Sequence, residues 1–212
     1  MMRAFHLVII SLSLTACASK SPYALSSLSY SNEDLKPQAT RSVASVSSHK
    51  EKSKSYLSLD LPYAAFEKMR HEVEKNQHVT LQHRGEAHIT VVNPVEFSRL
   101  KKKISMNEIH ALAEQMDLQK APYHLLCVGK GTVKEDSTYY AVVESDRLFQ
   151  IRKAIHMLYT SKGGKAEDFN PDQFYPHVTL GFTKKDLHFE DGVIKDASSC
   201  IYSLRPEEQK KN

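Results

Sequence analysis

Three of the 11 histidines are followed two places later by threonine: His78-Val79-Thr80, His88-Ile89-Thr90 and His177-Val178-Thr179. With 9 threonines in 212 residues, chance gives 11 × 9/212, or about 0.5 such pairs. On a strand, residues i and i+2 share a face, so each motif aims an imidazole and a hydroxyl the same way. Ile89 and Val91 take the opposite face from His88 and Thr90, and Val178 and Leu180 do the same opposite His177 and Thr179. Apolar residues on that side can anchor the strand in a core. Two imidazoles that titrate near neutrality can serve as base and acid in phosphodiester cleavage. The two threonine hydroxyls can donate to the phosphoryl oxygens.

The first role has two contenders. His78 follows the charged end of a helical stretch, and Gln82, His83 and Arg84 come soon after, so it is poorly anchored. His88 opens a run closed by Asn93-Pro94 and is the better candidate for a rigidly held group. The catalytic pair expected from sequence is therefore His88 and His177, with Thr90 and Thr179 binding phosphate. Tyr123, Lys130, Tyr175 and Tyr202 are secondary candidates for stacking a base or binding phosphate. No Cys or His cluster has zinc-site spacing and no glycine-rich phosphate loop occurs, so neither metal nor cofactor is expected.

The stretches His88-Ile89-Thr90-Val91 and Phe174-Tyr175-Pro176-His177-Val178-Thr179-Leu180-Gly181-Phe182 resemble the two signatures of the 2H phosphoesterase superfamily. That superfamily includes bacterial 2′-5′ RNA ligase-like proteins and cyclic nucleotide phosphodiesterases. The resemblance implies an α+β, bilobal fold: two small, mainly antiparallel sheets with flanking helices around a central cleft. It also implies a metal-free mechanism in which His88, Thr90, His177 and Thr179 contact one phosphate.

The elements that must hold these groups are legible in outline. Alternation predicts strands at 56–61, 79–82, 87–92, 123–132, 138–144, 175–183 and 200–204. Helical spacing predicts helices over 63–76 and 147–160, and Ser105 with Glu108 forms a capping box opening a third. The domain is expected over 56–205, followed by a polar tail, 206–212.

Before the domain, a basic Met-Met-Arg start, a short apolar run and Leu14-Thr15-Ala16-Cys17 read as an export signal. The last four residues resemble the bacterial lipobox, which makes Cys17 a lipidation site. Residues 18–55, rich in Ser and Lys, are expected to form a flexible tether with a span on the order of 35 Å. The expected location is the bacterial cell envelope, lipid-anchored and facing the periplasm from the outer membrane. Cys127 and Cys200 could pair there, although Cys127 also reads as a small core hydrophobe.

The net charge of +4 lies outside the domain, since 56–212 balances 22 basic against 22 acidic residues. A protein that tracks a long polyanion carries a basic stripe. The partners expected are instead a small nucleotide or short oligonucleotide, and a membrane through the anchor, with the protein a monomer. The function expected is hydrolysis of nucleoside 2′,3′-cyclic phosphates or short oligonucleotides. Alternatives are a 2′-5′ or 3′-5′ oligonucleotide phosphodiesterase, and a non-catalytic envelope lipoprotein that binds nucleotides or a partner.

Overall fold

Local signals start and stop the helices that back the sheet. Helix α1, Tyr63–Gln77, begins after Pro62 and buries Phe66, Met69 and Val73 along one stripe. It ends where His78 adopts left-handed backbone and its N–H bonds the Glu74 carbonyl. Asn93 and Glu96 form a capping box for a short helix α2, Pro94–Leu100, with Pro94 at its first turn. The Asn93-Pro94 pair therefore stops a strand and starts a helix that periodicity did not predict. Ser105 and Glu108 cap α3, Met106–Gln115, as expected, and Ser145 caps α4, Asp146–Ser161.

The computed structural model describes residues 26–31, 35 and 55–206. The expected export signal, Cys17, and the tail beyond Pro206 lie outside the described residues. Within the expected tether, Ser26–Tyr30 forms strand β1. Leu28 is buried there, and β1 pairs in parallel with the last strand. The serine-rich composition concealed a strand whose inward side chains are Leu28 and the partly buried Tyr30.

The remaining strands are β2 Leu57–Leu61, β3 Ala87–Val92, β4 His124–Val133, β5 Asp136–Glu144, β6 His177–Phe182 and β7 Cys200–Pro206. Together with β1 they form a single seven-stranded sheet in the order β1-β7-β4-β5-β6-β3-β2, antiparallel except for β1 with β7. The fold is α+β, but two separate small sheets are not what the strands form. The β3–β6 pairing, Ile89 opposite Val178, joins what would be two lobes. Tyr30 of β1 and Leu59 of β2 line a common groove, so the sheet curls and its two edges approach. The stretch 79–82 is not a strand and contributes one bridge, Gln82 to Phe182.

The helices pack on one face against Ile89, Val91, Val128, Tyr139, Ala141 and Val178. The opposite face carries a small second cluster of Cys127, Tyr140, Val142, Leu187 and Val193. Leu187 and Val193 belong to the segment 184–199, which folds back over that face. Gly131 permits the approach, since a Cβ there would collide with Val193. A disulfide between Cys127 and Cys200, with Cα atoms 5.7 Å apart, ties β4 to the start of β7. Cys127 is thus a bonded cysteine and not merely a core hydrophobe.

Candidate active site

The antiparallel register that puts Ile89 opposite Val178 fixes the motifs relative to one another. Extended by one residue each way, it sets His88 against Thr179 and Thr90 against His177. In both strands the apolar partners Ile89, Val91, Val178 and Leu180 are buried beneath, and the four motif residues are only half-buried on the other face. The two histidines are diagonal partners, and such pairs stand about 7–8 Å apart, somewhat less at Cβ. Two imidazoles and two hydroxyls thereby share one face of the sheet, an arrangement that can present them to a single phosphoryl group.

Neighbouring strands extend this face. Asp60 of β2 pairs with His88 and Ser58 with Thr90, while Tyr140 pairs with Thr179 and Val142 with His177. A small cleft lined by Arg84, Glu86, His88, Thr179 and Phe182 opens along one side. Arg84 brings a guanidinium to it, anchored by a 3.0 Å ion pair with Asp186.

The two histidines differ in their surroundings. His177 Nδ1 lies 2.7 Å from the Tyr175 carbonyl, which can only accept, so Nδ1 carries the proton. Nε2 is left with its lone pair toward the site, where Lys195 Nζ approaches to 3.1 Å. Burial and the Lys195 cation push the His177 pKa down to about 3. His88 Nδ1 is 3.7 Å from the Glu86 carboxylate. Burial lowers the His88 pKa as well, but Glu86 and Asp60 oppose that shift. Burial raises the Asp60 carboxyl, with its Ser58 hydrogen bond of 2.8 Å acting the other way.

Of the secondary candidates, Tyr175 alone adjoins the site. Its carbonyl orients His177, and its ring stacks on Phe189 at 5.9 Å and 20°. Lys130 pairs with Tyr139 and Tyr202 with Val128, both positions facing the helices. The Lys130 ammonium sits over the Tyr139 ring and Gln77 donates to the Tyr202 hydroxyl, so both are structural. Tyr123 lines the separate groove beside Tyr30, where its hydroxyl reaches the Leu35 carbonyl at 3.5 Å. His78 is the cap residue of α1, outside the motif strands, and is exposed.

Sequence reasoning missed three charged groups at the site and one behind it. Arg84, Asp186 and Lys195 come from loops, and their spacing carries no periodic signal. Behind the site, Arg152 of α4 is 1% exposed and bridges Glu96 at 2.9 Å, the Val91 carbonyl at 2.7 Å and the Asn170 carbonyl at 2.8 Å. Its guanidinium lies between the Phe169 and Phe174 rings. Arg152 therefore clamps the end of β3 to the loop that leads into His177. Among the described residues, no group of three or more His, Cys, Asp or Glu side chains is placed to hold a metal ion.

Residues 55–188 match the family model described as Swiss Army Knife, 2H phosphoesterase domain, which spans more than half of the chain and both motifs. No curated protein and no solved structure gives a match.

Proposed function

Because the chain belongs to the 2H phosphoesterase family, we propose that it is a metal-independent phosphodiesterase acting on nucleoside 2′,3′-cyclic phosphates or short oligonucleotides. The observation that carries this reading is the Ile89–Val178 register, which sets the two His/Thr motifs side by side, half-buried, on one sheet face. One neutral imidazole takes a proton from water as its oxygen attacks phosphorus. The other, protonated, gives its proton to the departing ester oxygen, leaving a phosphomonoester and a free hydroxyl. Thr90 and Thr179 donate to the phosphoryl oxygens as charge builds. The stacked Tyr175 and Phe189 rings offer an aromatic wall for a nucleobase.

The test is a screen of the protein from residue 18 onward, so that β1 is retained, against 2′,3′-cyclic mononucleotides and linkage-defined dinucleotides. Turnover is expected on a cyclic phosphate or short diester and should persist in excess EDTA. Loss of activity on chelation with recovery by a divalent ion contradicts the metal-free mechanism. Binding of these compounds without turnover would favour the non-catalytic alternative.

The proposal includes a lipid anchor on Cys17 in the bacterial envelope. A Cys127–Cys200 disulfide fits an oxidising compartment outside the cytoplasm. Full-length protein should take up labelled fatty acid and fractionate with membranes, and Cys17→Ser should do neither. Wild-type protein that stays soluble in the cytoplasm would refute the anchor.

A further inference from the structure

Lys195 lies beyond the residues matched to the family, in the segment that folds over the site face. It is 3% exposed, and a buried ammonium is costly unless it is paired. Among the described residues its hydrogen-bond partners are Asp186 Oδ1 at 3.4 Å and His177 Nε2 at 3.1 Å, and it sits over the Tyr140 ring at 5.2 Å. Asp186, itself buried, also takes Arg84 at 3.0 Å and the Thr138 hydroxyl at 3.1 Å. One carboxylate thus organises two cations, Arg84 beside His88 and Lys195 beside His177. An ammonium has only N–H donors, so its contact with Nε2 requires that nitrogen to be unprotonated.

We propose that Lys195, held by Asp186, is a phosphate-binding residue of the reacting centre and that it makes His177 the base, leaving His88 as the acid. This rests on the phosphodiesterase reading and deepens it. When a phosphodiester enters, a phosphoryl oxygen takes the N–H that Lys195 gives to Nε2. The Nε2 lone pair is then free to accept the proton of the attacking water. The ammonium meanwhile follows the charge that builds on phosphorus. His177 faces Lys195, Asp186, His188 and the Tyr140 ring. His88 faces Glu86, Asp60, Arg84 and Asp186, two of its nearest neighbours being carboxylates that favour imidazolium. Both rings are pulled toward neutrality by burial; at His177 the Lys195 cation is the next largest pull the same way, whereas at His88 the carboxylates of Glu86 and Asp60 outweigh the Arg84 cation.

The test uses full-length protein with Lys195→Met and Lys195→Arg, and has a readout that does not need turnover. In histidine-labelled wild type, ¹⁵N NMR should show His177 protonated at Nδ1 and neutral well below the ordinary histidine pKa. In Lys195→Met that pKa should rise by about one unit or more. Binding of inorganic phosphate should weaken about tenfold or more in Lys195→Met, and much less in Lys195→Arg, which keeps the charge. With 2′,3′-cyclic AMP, the acidic limb of kcat/KM reports the base of the free enzyme and should move to higher pH in Lys195→Met, while the alkaline limb stays. A wild-type His177 that titrates at its ordinary value overturns the proposal. So does a Lys195→Met protein that loses rate with both limbs and phosphate affinity unmoved. If Lys195→Met does not fold, the wild-type titration and Lys195→Arg decide. Absence of turnover by wild type on every diester would defeat the phosphodiesterase reading alone, since the NMR and phosphate results judge Lys195 separately.

Discussion

His88→Ala and His177→Ala are each expected to lower kcat on the preferred diester by about 10²-fold or more, the usual worth of a positioned acid or base. Neither ring belongs to the apolar core, which runs through Ile89, Val91 and Val178 beneath them. Each change therefore removes chemistry while sparing the packing, and circular dichroism should show a folded protein. His177→Asn keeps a donor near the Tyr175 carbonyl that His177 Nδ1 bonds at 2.7 Å, and it should be as inactive as the alanine variant. His78→Ala is the control. That residue caps α1 in left-handed backbone, and its loss should leave turnover near normal. An inactive His78→Ala beside an active His88→Ala would mean that the wrong motif had been paired with His177.

Arg152→Met is expected to destabilise the protein by about 3–5 kcal/mol, the range for removing one partner of a buried ion pair. The side chain is 1% exposed, and its removal orphans the Val91 carbonyl and leaves Glu96 without its cation. Methionine preserves much of the volume between Phe169 and Phe174, so the loss reflects polar groups and not a cavity. Each kcal/mol is worth roughly 2–4 °C in a domain of this size, so thermal unfolding reads it easily. A loss below about 1 kcal/mol would contradict the clamp role. Residual folded Arg152→Met should also turn over slowly, because the clamp joins the end of β3 to the loop before His177.

The motif strands were legible because their signal is local. Alternation in Ala87–Val92 and His177–Phe182 already separates an apolar face from a His/Thr face. Likewise Ser105 with Glu108, and the apolar stripe of α4, announce their helices within a few residues. What sequence could not supply is long-range. The β3–β6 pairing that merges two expected sheets into one joins residues 89 apart, and nothing in either strand names its partner. Lys195 and Asp186 read as ordinary loop charges until the segment 184–199 folds over Gly131 and buries them. Arg152 lies among polar positions of an amphipathic helix, and its burial depends on Glu96 of a helix whose Asn93-Pro94 start reads in sequence only as a strand's end. Lys130 and Tyr202 erred the other way. Their residue types suit a nucleotide, but strand parity turns both toward the helices.

The central claim is that His88 and His177 act as one acid–base pair on a single phosphate. The most direct measurement is kcat of the His88→Ala/His177→Ala double variant against both single variants on the same diester. Groups that act as a unit give non-additive losses, so the double should fall little below the worse single. Losses that multiply, with the double near the product of the two singles, would show independent roles and contradict the paired mechanism.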